Sequence, residues 1–339
     1  MLTYIRYLLL VVLIGLMGIS RLKVFAEEIP TITPTPSPPS QTQSIFAIAW
    51  SPLGDKLASS KDFTVQILDT TSGQILTTLP NFSEAVTAIK WNPSGTKLAI
   101  ASGDGVQVWD MTTAQITLTF QEHLFPVSAV AWSPDGTKIA SASVEKTQIW
   151  DSTTGQVLLT LTGHIQPLTD VAWNPDGTKV ATSGLDAAVI VWDAANGQSV
   201  NAYIIQDSLN PDVDRPPILA IAWKADGSRI AAASLDSSIR ILDSSNLQLL
   251  DVLKGHTDAT VSVSWSLNGL FIASGSVDGT FGVWDAATDQ TIEVLQVNTN
   301  VSSLDWSPDG SKLAFNGDKG NLQIVSLSEL LTPPTAVPP

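Results

Sequence analysis

The chain has 339 residues, no cysteine, and 32 acidic against 17 basic residues, which gives a formal net charge of −15 at pH 7. The absence of cysteine excludes disulfides, thiolate metal sites and a lipid attached through an N-terminal cysteine, although it is compatible with an oxidising compartment. The negative field disfavours nucleic acid and anionic lipid as partners.

The N-terminal segment differs in composition from the rest of the chain. Arg6 precedes an apolar run over residues 7–19, and Ala26 ends a site typical of signal cleavage. Two basic residues, Arg21 and Lys23, separate the run from that site, so a cleaved signal peptide and a retained signal anchor both stay open. We expect residues 1–26 to direct export and the remainder to be extracytoplasmic: secreted, periplasmic or membrane-anchored. Membrane contact is then expected only through an uncleaved anchor.

Two segments are too rich in proline, threonine and serine to form a core. Residues 27–43 are predicted to be an extended linker, and residues 332–339 a flexible tail.

The region between these segments repeats. Seven tryptophans recur at intervals of 41, 41, 41, 50, 42 and 41 residues. This ladder consists of Trp50, Trp91, Trp132, Trp173, Trp223, Trp265 and Trp306. Such a period indicates a repeat architecture, in which each unit buries its apolar surface against its neighbours.

Each ladder tryptophan is followed by a tight turn, best preserved as Ser133-Pro134-Asp135-Gly136. Proline presets the first corner of such a turn, and glycine accepts the positive φ that closes it. Short apolar runs flank the turn, and two more runs follow before the next ladder tryptophan. The pattern predicts four short antiparallel strands in each repeat and an all-β fold.

The third run of four repeats ends in Trp-Asp. These pairs are Trp109-Asp110, Trp150-Asp151, Trp192-Asp193 and Trp284-Asp285. With these endings the chain resembles the WD-repeat family. The resemblance implies a seven-bladed β-propeller of four-stranded antiparallel blades over residues 44–331. A periplasmic propeller resembling TolB shares the turns, but the Trp-Asp endings and the Gly-His pairs at residues 163–164 and 255–256 favour the WD-repeat family.

The three histidines share one position, nine residues before a ladder tryptophan. The family resemblance implies that such a histidine joins a hydroxyl, an aspartate and the third-strand tryptophan. Two blades offer complete structural tetrads: His164, Thr182, Asp186 and Trp192 in the fourth, and His256, Ser274, Asp278 and Trp284 in the sixth. The third blade offers His123, Ser141 and Trp150, but Glu145 replaces the aspartate, so the third set is incomplete.

Serine, histidine and aspartate together suggest a hydrolytic triad. A catalytic triad is needed once, whereas this set recurs at constant offsets and ends on an indole that needs a partner when buried. We therefore predict no catalytic residue, no enzyme activity, no metal site and no cofactor.

The interval between Trp173 and Trp223 is the longest, and its excess falls in residues 206–217. Insertions in one repeat usually map to a loop on a functional face. The partner-binding candidates are Asp207, Asp212, Asp214 and Arg215. A plain solvated insertion and weak calcium binding are the alternatives.

The outer strand of the last blade has two candidate sources, residues 327–331 and residues 31–33. Proline flanks the second on both sides and weakens it as a strand. Both closures stay open at this stage.

The predicted function is that of a non-enzymatic, exported, monomeric platform of bacterial type that binds a protein or peptide partner. The alternative is a propeller enzyme or a small-ligand or cation binder, with carboxylates lining the central channel. Asp170 and Asp305 are the acidic exceptions in inner strands that are otherwise small or apolar.

Overall fold

The computed structural model describes residues 47–61, 63–80, 82–205, 215–297, 299–316 and 321–330. Residues 1–46 and 331–339 lie outside the described residues. The predictions for the N-terminal segment, the linker and the tail therefore stay predictions.

The described residues form seven antiparallel sheets, each built from strands that are consecutive in the chain. The first blade contains β1 (Ile48–Trp50), β2 (Lys56–Lys61), β3 (Thr64–Asp69) and β4 (Ile75–Leu79). The second contains β5 (Val86–Trp91), β6 (Lys97–Ser102), β7 (Gly105–Asp110) and β8 (Gln115–Phe120). The third contains β9 (Val127–Trp132), β10 (Lys138–Ser143), β11 (Thr147–Asp151) and β12 (Val157–Leu161).

The remaining blades repeat this order. The fourth contains β13 (Leu168–Trp173), β14 (Lys179–Gly184), β15 (Ala188–Asp193) and β16 (Ser199–Ile204). The fifth contains β17 (Ile218–Trp223), β18 (Arg229–Ser234), β19 (Ser238–Asp243) and β20 (Leu249–Lys254). The sixth contains β21 (Thr260–Trp265), β22 (Phe271–Ser276), β23 (Thr280–Asp285) and β24 (Thr291–Gln296). The seventh shows β25 (Leu304–Trp306), β26 (Lys312–Asn316) and β27 (Leu322–Ser326).

The first strands of the seven blades form an inner ring. Each contacts the first strand of the next blade, and β25 contacts β1, so the ring closes between the seventh blade and the first. Two main-chain N–H groups of β1 cross this junction. Ile48 N donates to Ser303 Oγ at 3.0 Å, and Trp50 N donates to Asp305 Oδ2 at 2.9 Å. The predicted seven-bladed β-propeller is confirmed.

The apolar core lies between blades rather than within them. One buried cluster joins Ala140 and Ile149 of the third blade to Val171, Trp173 and Val180 of the fourth. A single antiparallel sheet has two faces, and stacking it between two neighbours removes both from water. The repeat therefore folds as a ring because no blade can bury its apolar faces alone.

The turn after each ladder tryptophan closes as predicted. In the third blade, Ser133 Oγ donates to Asp135 Oδ1 at 2.6 Å, and Gly136 N donates to Ser133 O at 2.8 Å. The φ of Gly136 is +71°, in the left-handed region that favours glycine. The turn joins the first two strands of the blade at the register Trp132 to Ile139.

One candidate for the outer strand of the seventh blade is wrong. Residues 327–330 do not extend along β27 but form the helical turn α1 (Leu327–Leu330). Leu330 is buried in a cluster with Trp306 and Leu313, and Leu327 N donates to Ser311 O at 2.7 Å. Leu327 packs against the same cluster, so both leucines of the turn contact the core of the last two blades. The other candidate, residues 31–33, lies outside the described residues.

Candidate functional site

The loops that carry the three histidines lie at one end of the ring. In the third blade, β9 and β11 begin at this end while β10 and β12 finish there, because neighbouring strands are antiparallel. His123 lies in the loop that enters β9, and His164 and His256 lie in the equivalent loops that enter β13 and β21. We call this end the histidine end, and the one that carries the Ser-Pro-Asp-Gly turns the opposite end.

The fourth blade brings all four residues of its predicted tetrad together. His164 Nδ1 lies 3.0 Å from both carboxylate oxygens of Asp186, and His164 Nε2 lies 2.9 Å from Thr182 Oγ1. Trp192 Nε1 donates to the same Oγ1 at 2.8 Å. With the ring proton on Nδ1, every donor from the indole to the imidazole finds an acceptor.

Asp186 also fastens the loop that contains His164. Its Oδ2 accepts the N–H of Ile165 at 3.0 Å, and its Oδ1 accepts the N–H of Ala188 at 3.2 Å. Burial alone would raise the pKa of Asp186, but the hydrogen bond and charge of His164 and these two N–H donors outweigh it, so the pKa is lowered. The carboxylate therefore joins the loop to the following hairpin.

The sixth blade departs from this pattern at two points. His256 Nε2 lies 2.6 Å from Ser274 Oγ, but its Nδ1 faces Thr280 Oγ1 at 2.7 Å, with Asp278 Oδ2 farther away at 3.6 Å. The Trp284 Nε1 donor has no hydrogen-bond partner among the described residues. The structure thus places His256, Ser274 and Asp278 in one network through Thr280 and leaves the indole N–H outside it.

The third blade keeps the hydroxyl and the tryptophan but loses the acid. His123 Nε2 lies 2.7 Å from Ser141 Oγ, which also accepts the N–H of Trp150 at 3.1 Å. Glu145 is exposed, and His123 Nδ1 has no partner in the described part of the chain. Burial, with a smaller contribution from the Lys146 charge, lowers the pKa of His123 from 6.5 to about 4. His123 is therefore neutral at pH 7.

The hydroxyl groups of the three histidine networks are inaccessible to a substrate in this conformation. Ser141, Thr182 and Ser274 each have 0% of their surface exposed. Each already contacts an imidazole nitrogen, and the first two also accept an indole N–H. An attacking nucleophile needs an open approach to its oxygen, so these groups satisfy buried donors instead.

Sequence reasoning missed a different network in the fifth blade. Arg240 is buried and contacts both carboxylate oxygens of Asp236, at 3.2 and 2.6 Å. Ser238 Oγ donates to the same carboxylate at 2.6 Å. A bidentate arginine–carboxylate pair is among the stronger side-chain contacts. The signal was an arginine between two isoleucines of the third strand, four residues after the aspartate.

Two carboxylates on inner strands form hydrogen bonds between neighbouring blades. Asp170 accepts the N–H of Ile221 in the next blade at 2.9 Å, just as Asp305 accepts that of Trp50. Burial raises the pKa of both carboxyls, and the positive charge of Lys90 in the second blade opposes the rise for each. The sequence singled out these carboxylates as channel residues, but not their inter-blade hydrogen bonds.

The ladder tryptophans also connect blades. Five of their indole N–H groups donate to the main-chain carbonyl that precedes the ladder tryptophan of a neighbouring blade. These bonds are Trp50 to Asp305, Trp91 to Ala49, Trp132 to Lys90, Trp223 to Ala172 and Trp265 to Ala222, at 3.0–3.2 Å. The acceptor is a main-chain carbonyl, so no residue type in the sequence identifies it. The regular spacing of the ladder tryptophans does indicate that their partners are equivalent.

Most of the predicted partner-binding set cannot be placed. Asp207, Asp212 and Asp214 lie outside the described residues. Arg215 is half-buried and precedes β17 at the histidine end. The loop is fixed where it returns to the blade, since Pro217 O accepts the Ser234 hydroxyl at 3.0 Å.

Other features of the described residues bear on ligands. No group of three or more histidine, aspartate or glutamate side chains in them could hold a metal ion. Among the same residues, no helix has the length and apolar character needed to cross a membrane. A cavity of about 570 Å³ lies at the opposite end between the fifth and sixth blades, lined by Leu267, Leu270 and Lys224 among others. It includes none of the predicted site residues.

The ring of four-stranded repeats with its histidine–hydroxyl networks defines a repeat propeller. The profile of the WD domain, G-beta repeat, matches residues 33–69, 73–110, 114–151, 155–193, 213–243 and 247–285, which together exceed half of the chain. The chain belongs to this family, whose members typically act as platforms for protein interaction and are generally non-catalytic. No curated protein matches it.

Proposed function

We propose that this protein is a non-enzymatic, monomeric platform that binds a protein or peptide partner through the histidine end. The observation that carries the proposal is that the histidine–hydroxyl pairs recur in three blades and that their side chains are buried. Their polar atoms bond to one another and to neighbouring side chains of the same blade. These groups hold loops in place and leave the loop surfaces available. The family match supports the same role.

The tetrads of the fourth and sixth blades are proposed to be structural. In the fourth blade His164, Thr182, Asp186 and Trp192 form one continuous set of hydrogen bonds. Rigid loops lower the entropy lost when a partner binds.

The insertion at residues 206–217 is proposed to contribute to the partner surface. Its last residues return to β17 at the histidine end, beside the loops that the tetrads fix. Its carboxylates and Arg215 are the proposed contacts.

Partner capture with the intact protein and with a variant lacking residues 208–214 tests this function. Bound proteins from soluble and envelope extracts are identified by mass spectrometry. We expect a specific partner whose capture weakens when the insertion is removed, while the melting temperature is unchanged. Recovery of no specific partner with either protein would contradict the platform function.

Export is a second part of the proposal. It is supported by the apolar run at residues 7–19 and the cleavage-like site that ends at Ala26. Fractionation of the source cells, followed by N-terminal sequencing, distinguishes cleavage before Glu27 from retention of an anchor. Recovery of the intact chain in the cytoplasm would overturn the export proposal.

The alternative function is binding of a cation or small cationic ligand at the axis. Asp170 and Asp305 favour it, because both are carboxylic acids on inner strands, β13 and β25. The positive charge of Lys90, which acts on both carboxyls, would compete with a bound cation. Calorimetric titration with Ca²⁺ tests this candidate against a variant with Asp170→Asn and Asp305→Asn. A heat of Ca²⁺ binding that is present in the wild type and absent in the double variant would support this function. Equal binding heats in the two proteins would exclude it.

A further inference from the structure

The loops of the third blade and the loop that leads from it into the fourth blade present several apolar side chains at the histidine end. Leu124 and Phe125 lie in the loop that enters β9, Val144 lies in the hairpin between β10 and β11, and Ile165 lies in the loop that follows β12. Leu124 is 78% exposed and Ile165 is 87% exposed. We call these four residues the blade-three patch.

Hydrogen bonds fix each of the three segments that carry the blade-three patch. Ser143 Oγ donates to the carbonyls of Phe125 and Pro126 at 2.8 and 3.0 Å, which ties the hairpin of Val144 to the loop of Leu124. Ile165 N donates to Asp186, so the third loop is fixed as well. The exposed side chains therefore project from anchored main chain.

Two of the three blades that carry the histidine have a large apolar residue directly after it. The residue after the histidine is Leu124 in the third blade and Ile165 in the fourth, but Thr257 in the sixth. Across the rest of the described histidine end, only Phe63 and Ile204 are large exposed apolar residues. Clustered apolar exposure of this kind marks interaction surfaces, whereas scattered exposure is ordinary.

Acidic residues surround the blade-three patch. Glu122 and Glu145 are exposed on its own loops, and Asp104 is exposed on the hairpin of the second blade. Glu84 lies beside Gly103 of that hairpin. The basic residue of these loops is Lys146. A partner that covers the patch thus meets a local excess of negative charge, which favours a positively charged one.

We propose that the blade-three patch binds a partner segment that carries a bulky apolar side chain flanked by lysine or arginine. The apolar side chain packs against Leu124 and Ile165, and the basic groups pair with Glu122 and Glu145. The inference rests on the proposed platform function and specifies where on the histidine end the partner lies and which chemistry it has.

Synthetic peptides of three kinds provide the probe. The first has a leucine–phenylalanine centre with lysine and arginine flanks, the second has the same centre with acidic flanks, and the third has a serine–glycine centre with basic flanks. Fluorescence anisotropy measures the binding of each to the full chain. We expect the first to bind at least about 10-fold more tightly than the others and to weaken as salt is raised.

Matched variants locate the site. Leu124→Asp with Ile165→Asp removes the exposed apolar surface, while Leu53→Asp with Leu267→Asp makes the same change at the opposite end, where the two leucines are 77% and 62% exposed. Binding of the first peptide should be lost in the patch variant and retained in the control. Glu122→Lys with Glu145→Lys should shift preference toward the acidic-flanked peptide.

Several results would overturn the inference. They are binding that survives the patch substitutions, equal binding of all three peptides, and absence of binding by the first peptide. A dimer that sediments as such and dissociates in the patch variant would instead assign the patch to a second copy of the chain. A captured partner that still binds the patch variant leaves the platform function intact, whereas capture of no partner contradicts that function itself.

Discussion

His164 and His123 occupy the same position in neighbouring blades, but one side chain distinguishes their surroundings. In the fourth blade Asp186 contacts the imidazole Nδ1, whereas the third blade offers Glu145, which points away into solvent. The first histidine therefore connects a loop to a hairpin, and the second is buried with Nδ1 lacking a partner among the described residues. The two networks should therefore contribute differently to the free energy of unfolding.

Removing the carboxylate of Asp186 should destabilise the protein. Asp186→Ala leaves the His164 ring and the Ile165 N–H without their acceptor, which should lower the free energy of unfolding by about 1–3 kcal/mol in urea denaturation. Asp104→Ala is the control, because Asp104 is exposed on the second-blade hairpin. Equal stability of the two variants would contradict the network.

Burial of His123 should make stability depend on pH. Its pKa is about 4 in the folded protein against 6.5 ordinarily, so the unfolded chain takes up a proton between these values while the folded chain does not. Stability is therefore lost as pH falls. Between about pH 7.5 and about pH 5, the wild type should lose roughly 2 kcal/mol more than His123→Gln. Urea titrations at both pH values measure this, and parallel losses would contradict it.

At the scale of elements, five of the seven ladder tryptophans connect an inner strand to the inner strand of a neighbouring blade. Five indoles donate to main-chain carbonyls of an adjacent blade, whereas Trp173 Nε1 and Trp306 Nε1 have no partner among the described residues. The seven positions are equivalent in sequence but not in hydrogen bonding. Blade junctions should accordingly differ in strength.

Trp132→Phe and Trp173→Phe separate the indole hydrogen bond from the packing. Both substitutions shrink a buried ring, but only the first removes a bond, from Trp132 Nε1 to Lys90 O at 3.0 Å. Its loss of unfolding free energy should exceed that of Trp173→Phe by about 1–3 kcal/mol, because a carbonyl loses its donor. Equal losses in urea denaturation would show that the bond adds nothing.

The sequence was sufficient to predict blades because the period, the turn glycines and the alternating runs repeat seven times. It could not predict the junction bonds, whose acceptors are main-chain atoms of a strand between 42 and 255 residues away in the chain. Nor did it distinguish the helical turn at Leu327–Leu330 from a strand, since a four-residue segment is too short to show a period. Thr280 in the sixth-blade network was missed for a related reason. Its hydroxyl links His256 to Asp278, whose side chains are 3.6 Å apart, and the sequence does not reveal that distance.

At the scale of the whole molecule, the ring depends on the junction between the first and seventh blades. Asp305 accepts the main-chain N–H of Trp50, and Trp50 Nε1 donates to Asp305 O. The junction joins strands 255 residues apart in the chain. It is therefore the contact with the largest entropic cost of closure.

Asp305→Ala should weaken this junction. It leaves the Trp50 N–H without its carboxylate acceptor, so stability should fall by about 1–3 kcal/mol and the amides of β1 should exchange hydrogen faster. Asp305→Asn keeps an acceptor oxygen and should lose less. Identical exchange of β1 in both variants and the wild type would mean that the side chain does not close the ring.

The central claim is that the histidine end is the partner-binding surface and the opposite end is not. Photo-cross-linking tests it most directly, with a photoreactive amino acid placed at Ile165 or, as the control, at Leu53. We predict that position 165 forms one specific cross-link to a partner protein and that the basic-flanked apolar peptide reduces its yield. Position 53 should form no specific cross-link. A specific adduct from position 53 alone would contradict the account.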